Sequence, residues 1–335
     1  MSGNAATVLP LKQIDAFVTL QAHVLEEERH FPGATGTLSW IISALSISAK
    51  TIAAKLKRAR LEDVLGEIGL ENVQGEKQQK LDVIANNVLS QVLQGRQGVG
   101  VIGSEEDDEL LVIDASDAGG TRYAVYFDPL DGSSNLDVGG SVGTIFSIFR
   151  CEPGSEQQLG RGRLQVAAGY VLYGSSTIFV LTTGFGVHMF VLDPAVGAFI
   201  RVARNLRIPL AGKSYSVNEA NIEGFPPGIQ RYLAECRQRG YSSRYAGAMV
   251  ADVHRVLLKG GIFLYPPTTR SPAGKLRLMY EANPMAMILE QAGGMATTGQ
   301  QPILDVEPDS LHQRVPVILG SPADVQRLMD ISAGV

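Results

Sequence analysis

Two aspartates, three residues apart, belong to the segment with the clearest chemical potential. In Phe127-Asp-Pro-Leu-Asp-Gly-Ser-Ser-Asn135, Asp128 and Asp131 precede a glycine and two serines, at the end of an apolar, strand-like run, Tyr123–Phe127. Hard cations such as Mg²⁺ bind carboxylate and carbonyl oxygens, and phosphate binds backbone N–H groups and hydroxyls. One loop therefore offers both halves of a metal-assisted phosphate site. A helix N-cap or a plain turn would also explain the two aspartates.

Other acidic residues have settings that suit the rim of a site. Two adjacent glutamates follow the apolar run Val99–Ile102, where a strand end would deliver side chains to an edge. Of two further acidic residues, Asp82 lies near a helix start and Glu281 lies inside an amphipathic helix with basic neighbours. These residues are Asp82, Glu105, Glu106 and Glu281. Plainer interpretations exist, because adjacent glutamates are commonly a solvated pair and Asp82 could complement a helix macrodipole.

The composition narrows the class of protein. The chain has 335 residues, with 45% hydrophobic and 19% charged residues, which suits a soluble globular enzyme of one large domain or two smaller ones. A net charge of −5 argues against a nucleic-acid partner, which usually needs a basic surface. An anionic substrate would need local cations to overcome this charge, which is a mild indication of bound metal.

The cysteines and the apolar runs bear on the compartment. Cys151 and Cys236 are far apart in sequence, so the chain has neither a disulfide scaffold nor a thiolate zinc site, and both should be ordinary thiols in a reducing compartment. We find no apolar stretch of the ~18 residues that a membrane span needs, and no signal peptide at the start. The sequence thus predicts a cytoplasmic protein without a membrane partner.

The histidines have no spacing typical of a metal site. This holds for His30, His188, His254 and His312, and we expect His23 and His30, seven residues apart, to be solvated rather than to bind zinc.

Apolar periodicity predicts a layered α/β architecture. The first hundred residues have helical patterns, strongest over 38–56 and 81–92, and short strand-like runs follow from Gly98 to Phe149. From Ala167 to Val202, strands joined by glycine turns suggest an antiparallel meander. The pattern changes near residue 205, so we expect domains over 1–205 and 206–335.

The second half alternates helices and strands. Helical runs over Ala246–Lys259 and Lys275–Gln291 end at glycine pairs, as helices commonly do, and Pro284 must kink or restart the second. The remaining elements are strand-like Ile262–Tyr265 and Val317–Leu319, and helix-like Pro322–Ile331.

These segments together resemble class I fructose-1,6-bisphosphatase, a metal-dependent sugar phosphatase of gluconeogenesis and the Calvin cycle. The Asp-Pro-Leu-Asp-Gly motif alone is shared with the wider inositol-monophosphatase superfamily, but the whole ordered set, from about Leu11 to Ile331, is far more specific. The matching blocks are Lys80-Leu-Asp-Val83, Gly103-Ser-Glu-Glu106, Phe127 to Asn135, Ser141-Val-Gly-Thr-Ile-Phe146, Ser216-Val-Asn-Glu219, Arg244-Tyr-Ala-Gly247, Met249 to Arg255, Gly260 to Pro266 and Lys275 to Ala286. The resemblance implies the sugar phosphatase / inositol-monophosphatase-like fold, with alternating α and mixed β layers.

The resemblance assigns roles to the acidic residues. It implies two or three Mg²⁺ ions per subunit, with Mn²⁺ also possible, bound by Glu105, Asp128, the Leu130 carbonyl, Asp131 and Glu281, and with Glu76 supporting a further ion. Such cations polarise phosphoryl oxygens and lower the pKa of a water. Glu106 and Asp82 match the pair that activates and orients this water, without indicating which takes the proton. Asp131, Gly132, Ser133 and Ser134 would contact the 1-phosphate end.

The far end of the sugar bisphosphate needs cationic and hydroxyl donors. The resemblance implies contacts from Asn218, Arg244, Tyr245, Tyr265, Lys275 and Arg277, although arbitrary tyrosines are more often partly buried core residues. The Arg244 equivalent reaches the 6-phosphate in a neighbouring subunit, which implies a homotetramer. Asn221 stands where many relatives have a tyrosine beside that phosphate.

An effector site is implied at Gly33-Ala-Thr-Gly-Thr-Leu38, where loop amides before a helix could bind phosphate. A simple helix cap is the plainer alternative. The matching AMP-binding positions are Thr35, Gly36, Thr37, Leu38, Arg122, Tyr123 and Arg150. Ala34 replaces a family glycine and Thr37 a family glutamate, so inhibition by AMP could have altered affinity.

The sequence therefore predicts a Mg²⁺-dependent hydrolase that removes the 1-phosphate of fructose 1,6-bisphosphate. Sedoheptulose 1,7-bisphosphate is the alternative substrate, because one hydroxylated carbon supports only modest discrimination. A non-catalytic sensor of AMP or sugar phosphate is a third hypothesis, which the full set of metal-binding carboxylates disfavours.

Overall fold

The protein is represented by a computed structural model that describes residues 17–29, 35–62, 64–71, 77–113, 121–151 and 159–334. The predicted metal ligand Glu76, the start of the effector loop at Gly33-Ala34, and His30 lie outside these ranges.

Three helices precede the main sheet. They are α1 (Leu20–Glu28), α2 (Thr37–Arg58) and α3 (Lys80–Gln94), and the last two confirm the predicted helical periodicity. The expectation of helix throughout the first hundred residues is wrong between them, where β1 (Glu67–Glu71) and β2 (Lys77–Gln79) pair antiparallel. The sequence Glu-Ile-Gly-Leu-Glu alternates polar and apolar residues with period two, which is a strand pattern.

An eight-stranded sheet forms the centre of the N-terminal half. Its strands run in the order β10-β9-β8-β7-β6-β5-β3-β4, and the pairs are antiparallel except β3 with β5. The predicted meander over the last four strands is confirmed. The strands are β3 (Val99–Ser104), β4 (Leu111–Val112), β5 (Tyr123–Asp131), β6 (Val142–Arg150), β7 (Gln165–Tyr173), β8 (Thr177–Thr182), β9 (His188–Asp193) and β10 (Ala198–Ala203).

A five-stranded sheet and four helices form the C-terminal half. The strands are β11 (Ser214–Ser216), β12 (Ser242–Ser243), β13 (Ile262–Tyr265), β15 (Met295–Thr297) and β17 (Val317–Gly320), in the order β12-β11-β13-β17-β15. A separate pair joins β14 (Leu276–Arg277) to β16 (Arg314–Val315). The helices are α4 (Pro227–Gln238), α5 (Met249–Lys259), α6 (Asn283–Gln291) and α7 (Pro322–Ala333).

The expected continuous helix over Lys275–Gln291 is wrong. The segment begins as strand β14, passes through one π-helical turn over Leu278–Ala282, and becomes α-helical only at Asn283. Pro284 has no N–H and is accommodated in the first turn of a helix, so it restarts the helix here, as one of the two expected outcomes. The helix expected from Ala246 likewise begins three residues later, at Met249.

Helical and sheet layers alternate through the molecule. One face of the large sheet packs on α1–α3, through residues such as Leu45, Leu89 and Phe127. Helices α5 and α6 fill the space between the two sheets, while α4 and α7 cover the outer face of the smaller sheet. The predicted layered α/β fold is confirmed.

One described helix, α2, is long and apolar enough by length and composition to cross a membrane, which the sequence analysis did not expect. Half of its most apolar window is buried inside the protein. Because its apolar face includes core residues such as Ile41, Leu45 and Ile52, the feature is weak support for a membrane span.

Candidate active site

A bulge at the end of β5 brings the two aspartates together. Asp128 pairs with Ile145 and Asp131 with Gly143, so β5 has one more residue than β6 between these pairs. In a regular strand, residues three apart point to opposite faces, whereas a bulge redirects side chains and is common beside active sites. Ligand oxygens of Asp128, Asp131 and Glu281 consequently lie within 4.8 Å of one another.

Backbone N–H groups hold both aspartates in place. Asp128 Oδ1 accepts from the Leu130 N–H at 2.9 Å. The Asp131 oxygens accept from the first two residues of α5, Met249 N at 3.2 Å and Val250 N at 2.7 Å. The positive end of the α5 dipole favours a carboxylate there, so the helix orients Asp131 for a role in the site.

Glu105 and Glu106 form the turn that directly follows β3. Glu105 is only 6% exposed and Glu106 is half-buried, so the interpretation of a solvated surface pair is wrong. The turn is fixed by hydrogen bonds from Glu105 N to the Phe127 carbonyl at 3.1 Å and from Glu106 N to Ser104 Oγ at 3.2 Å. The strand end therefore delivers both side chains beside Asp128.

Asp82 caps the start of a helix and also belongs to the site. Its Oδ2 accepts from the Gln79 N–H at 2.9 Å and forms a capping box at the start of α3, which confirms the plainer interpretation. It is also buried and lines the same cavity as Glu106.

Arg277 lies between two of the acidic side chains. Its guanidinium forms ion pairs with Glu105 and with Glu281, the latter at 2.9 Å from Nε to Oε2, and its backbone N–H donates to Glu281 Oε2 at 2.7 Å. All three side chains are less than a tenth exposed. The π-helical turn over Leu278–Ala282 brings Glu281 back onto Arg277, in keeping with the frequent use of π turns at functional sites.

The four buried carboxylates, Glu105, Asp128, Asp131 and Glu281, will be called the carboxylate cage. Burial raises the pKa of Asp128 well above its usual range, aided by the neighbouring Asp131 and Glu281 charges. Burial likewise raises the pKa of Asp131 to about 7, although the N–H groups of α5 oppose this shift. Such a buried set of carboxylate oxygens with excess negative charge fits a hard divalent cation such as Mg²⁺.

Binding of Mg²⁺ is expected to weaken as the pH falls below about 7, because the cation must displace protons from these carboxyls. The Asp131 proton alone should lower the apparent affinity about tenfold per pH unit below 7, and the raised pKa of Asp128 should add to this pH dependence. Without the cation, the raised pKa means that the cage destabilises the fold as the pH rises through 7, so added Mg²⁺ stabilises most above it. The Mg²⁺-induced rise in Tm between about pH 6 and pH 8 checks this, and a rise independent of pH would contradict it.

A cavity of about 540 Å³ joins the cage to the other predicted site residues. Tyr245 is 41% exposed, so the core interpretation is wrong for this residue. Tyr265 is half-buried and packs against the core between the two sheets, which agrees with the core interpretation, but it also lines the cavity. Of the predicted substrate contacts, Arg244 is outside the lining, exposed after β12, and Asp131 is turned towards α5. The predicted residues that line the cavity are Asp82, Glu105, Glu106, Asp128, Leu130, Gly132, Ser133, Ser134, Asn218, Tyr245, Tyr265, Lys275, Arg277 and Glu281.

Comparison with known proteins identifies the family. The family model described as "Fructose-1-6-bisphosphatase, N-terminal domain" matches residues 18–204 of the chain. A second family model, "Fructose-1-6-bisphosphatase, C-terminal domain", matches residues 208–333. The chain belongs to the fructose-1,6-bisphosphatase family. The family predicted from the sequence blocks is confirmed, and the chain is an enzyme of that family.

Individual relatives align over nearly the whole chain. "Fructose-1,6-bisphosphatase class 1" of Chlorobium luteolum is 47% identical over 330 residues, which are 95% of this chain and 98% of the relative. The crystal structure of the Leishmania major fructose-1,6-bisphosphatase in holo form has a TM-score of 0.89 at 39% identity and covers 94% of this chain and 99% of its own. The apo form has a TM-score of 0.85 at 37% identity, with coverage of 95% and 99%.

Gly132 positions the hydroxyl-bearing turn of this bisphosphatase cavity. Its φ of 76° is left-handed, and a Cβ there would lie 2.3 Å from the Cβ of Ala248. Ala248 immediately precedes the α5 N–H groups that hold Asp131. Only glycine therefore allows Ser133 and Ser134 to follow the cage so closely.

The substitution Gly132→Ala should destabilise the fold by about 1–3 kcal/mol and sharply reduce phosphatase activity, because the clash moves Ala248 or the serine turn. Gly139→Ala is the matched control, since Gly139 also has a left-handed φ, of 70°, but meets no atom within 4 Å. Thermal unfolding and phosphate-release assays on both variants separate the clash from backbone strain. Equal losses in the two variants would contradict the prediction.

Sequence reasoning missed Asp252 as a member of the site. Its Oδ1 accepts from Ala246 N at 2.9 Å and its Oδ2 from Gly247 N at 3.3 Å, and it lines the cavity. Burial raises its pKa to about 6. These bonds hold the loop that carries Tyr245. Asp252 lies in the first turn of the observed α5, but the helix predicted from Ala246 placed it in the helix interior, so the sequence pattern gave no direct indication of it.

The described effector residues meet at one edge of the large sheet. Gly36 has a φ of 78° and precedes α2 as its N-cap. Thr37 packs so closely on Gly98 that a Cβ on that glycine would overlap it. The Gly98 carbonyl accepts from Tyr123 N at 2.7 Å, and Tyr123 is the cross-strand partner of Arg150.

Three other effector residues, Arg122, Thr35 and Leu38, differ in their surroundings. The Arg122 guanidinium donates to the Ile113 carbonyl of the same sheet edge, while Thr35 Oγ1 lies 2.7 Å from Thr37 Oγ1. Leu38 packs on the core as the second residue of α2. The described effector residues are thus clustered, and the Arg122 guanidinium already donates to a backbone carbonyl.

Proposed function

We propose that the chain hydrolyses the 1-phosphate of D-fructose 1,6-bisphosphate to fructose 6-phosphate and phosphate. The observation that carries this proposal is the junction, in one cavity, of the carboxylate cage with the Gly132–Ser134 turn. The first feature suits a divalent cation and the second suits a phosphate. The names of the aligned relatives, all fructose-1,6-bisphosphatases, support the choice of substrate.

The cation ligands would be the carboxylates of the cage and the Leu130 carbonyl, with Glu76 supporting a further ion. The donor set is all oxygen, so Mg²⁺ is the proposed ion, two or three per subunit, and Mn²⁺ is a chemical alternative. When bound, such ions polarise the phosphoryl group, lower the pKa of a water and stabilise the leaving alkoxide.

The protein's own groups would orient the attack. Glu106 lines the cavity and would accept a proton from the attacking water, and Asp82, fixed by its capping bond, would orient that water. Ser133 and Ser134 would donate to the 1-phosphate oxygens. Arg277, already paired with Glu105 and Glu281, would balance charge as the anionic substrate enters.

The opposite wall would bind the rest of the substrate. Tyr245, Tyr265, Lys275 and Asn218 line that part of the cavity and offer hydroxyl, ammonium and amide donors. Arg244 is exposed and lies outside the lining, as expected if it completes the 6-phosphate site of a neighbouring subunit in a homotetramer. We propose two domains, with the effector region and most cation ligands in residues 1–205, and with most sugar contacts and the cation ligand Glu281 in residues 206–335.

AMP is proposed as an inhibitor at the edge formed by Thr37, Tyr123 and Arg150. The clustering of these residues beside Gly98 supports a shared site. A cytoplasmic location, and a place in gluconeogenesis or the Calvin cycle, stay predictions.

Product analysis tests the proposal. The purified full chain, with Mg²⁺, should yield fructose 6-phosphate and not fructose 1-phosphate, and it should turn over sedoheptulose 1,7-bisphosphate less efficiently. A higher kcat/KM for the heptulose bisphosphate would assign the chain to the alternative substrate. Release of the 6-phosphate would overturn the orientation proposed for the cavity.

A further inference from the structure

We propose that the chain has a second metal site, for a transition ion such as Zn²⁺, formed by His23, Glu27 and His188 between α1 and the large sheet. These three residues will be called the α1 cluster. One ligand atom of each lies within 4.8 Å of those of the other two. Ligand atoms around a tetrahedral zinc ion are roughly 3.3 Å apart, so small side-chain movements would close the set around an ion.

Burial makes the α1 cluster unlike a solvated histidine pair, which the sequence analysis expected for His23. His23 and His188 are each 2% exposed and Glu27 is 7% exposed. The two imidazole rings lie 4.1 Å apart between centroids. Buried polar atoms need partners, and of these three side chains His188 has a buried nitrogen, Nδ1, without one in the described structure.

His188 is held in the tautomer that a metal ligand requires. Its Nε2 is 3.4 Å from the Phe185 carbonyl, which can only accept, so Nε2 carries the proton. The other nitrogen, Nδ1, is buried and has no hydrogen-bond partner in the described structure. Metal-binding histidines typically donate their second N–H to a carbonyl or carboxylate in this way. The lone pair on His188 Nδ1 is therefore available to an ion.

Glu27 has the support expected of a ligating carboxylate. Thr183 Oγ1 donates to Glu27 Oε2 at 3.1 Å, which leaves Oε1 for a cation. His23 and Glu27 are four residues apart on α1 and so share one helix face. Burial, aided by the positive charges of Arg201 and Arg204, lowers the pKa of His23 to about 3 and that of His188 to about 4, so both imidazoles are neutral near pH 7. A bound cation must overcome these two charges, which the Glu27 carboxylate offsets.

Arg201 is the group that an ion would have to displace. Its Nη1 is 3.2 Å from His23 Nδ1, and the same atom is 3.7 Å from Glu26 Oε2. The guanidinium can only donate, so His23 Nδ1 is an acceptor here and offers a lone pair. The guanidinium can turn towards Glu26 when an ion takes that nitrogen. Two imidazoles and one carboxylate favour zinc-like ions over Mg²⁺, unlike the oxygen-only carboxylate cage.

An ion in the α1 cluster would fasten α1 to the sheet. His188 begins β9 and Thr183 follows β8, so the ion would add to the contacts that already join α1 to this edge. Those contacts are the Glu27–Thr183 and His23–Arg201 hydrogen bonds and the core packing of Leu20 and Val24. The site should therefore raise thermal stability when it is filled.

Zinc titration of the full chain in a large excess of Mg²⁺ tests this site, because Mg²⁺ would compete for the carboxylate cage of the proposed function. We expect tight binding of one Zn²⁺ per chain, with affinity at least about tenfold lower in Glu27→Gln and in His188→Gln. Glu28→Gln is the matched control, since this glutamate is on the same helix but binds Ser39, and it should bind Zn²⁺ normally. Co²⁺ at the site should show a visible spectrum of nitrogen ligation that His188→Gln removes.

The variant Asp131→Asn keeps the test decisive if the cluster variants fold poorly, because it disables the cage and leaves the α1 cluster intact. This variant should still bind one Zn²⁺ and gain Tm from it. The proposal is overturned if Asp131→Asn binds no Zn²⁺, or if Zn²⁺ affinity is the same in the wild type, Glu27→Gln and His188→Gln.

Discussion

Asp131→Ala should abolish Mg²⁺-dependent phosphate release while the chain remains folded. The substitution removes a carboxylate that shares a 4.8 Å cluster with Asp128 and Glu281. A lost metal contact affects both cation binding and charge stabilisation in the transition state. We therefore expect kcat/KM to fall at least about a thousandfold, or about 4 kcal/mol.

A more conservative variant separates charge from structure at this position. Asp131 accepts from Met249 N and Val250 N, so alanine leaves two buried donors at the start of α5 without their acceptor. Asp131→Asn keeps one acceptor oxygen and should retain more stability, yet it should be nearly as inactive. Asp137→Asn, on the exposed side of the same loop, is the control that should leave activity unchanged. Survival of normal activity in both Asp131 variants would remove the proposed mechanism.

Glu106→Gln should reduce kcat by about 10²–10⁴-fold with little change in KM, because a general base contributes that much to the chemical step and this side chain is not proposed to bind phosphate. The acidic limb of the pH–rate profile should disappear with it. Steady-state kinetics across the pH range, with Mg²⁺ saturating at each pH, provide the measurement.

Asp82 is the necessary comparison for Glu106. Asp82→Ala removes the capping bond to Gln79 N, which should cost about 1 kcal/mol of stability besides activity. Asp82→Asn can keep that bond and so reports the effect of charge alone. If Asp82→Asn lost the acidic limb while Glu106→Gln retained it, the base would be Asp82.

Much of the site could be predicted because its chemistry lies in contiguous motifs. Asp128, Asp131 and the serine turn are one segment, and Glu105-Glu106 follow a strand that apolar residues define well. What pattern reasoning could not supply was the bulge that puts Asp128 and Asp131 on one side, because it depends on the register of β5 against β6. Resemblance to a family, rather than periodicity, joined the distant segments.

The predictions that the structure contradicts also failed because of contacts between segments that are distant in sequence. The helix over Lys275–Gln291 had a convincing apolar pattern, but tertiary pairing of β14 with β16 extends its first residues, and Pro284 limits where a helix can start. Glu105 was predicted as a metal ligand, and the plainer interpretation of a solvated carboxylate was wrong because Arg277, 172 positions away in sequence, pairs with it. The α1 cluster was missed because His188 is remote from His23 in the chain.

The cysteines agree with the expected ordinary thiols. Burial raises the pKa of Cys236 to about 11 and also raises that of Cys151, so neither has the lowered pKa of a reactive thiolate.

Phosphate release from fructose 1,6-bisphosphate, with Mg²⁺ and then with excess EDTA, tests the central claim most directly. The carboxylate cage predicts one phosphate released per substrate with Mg²⁺, no release with EDTA, and recovery when Mg²⁺ is restored. Equal release in the presence of EDTA, or none with either Mg²⁺ or Mn²⁺, would contradict a cation-dependent hydrolase built on Asp128, Asp131 and Glu281.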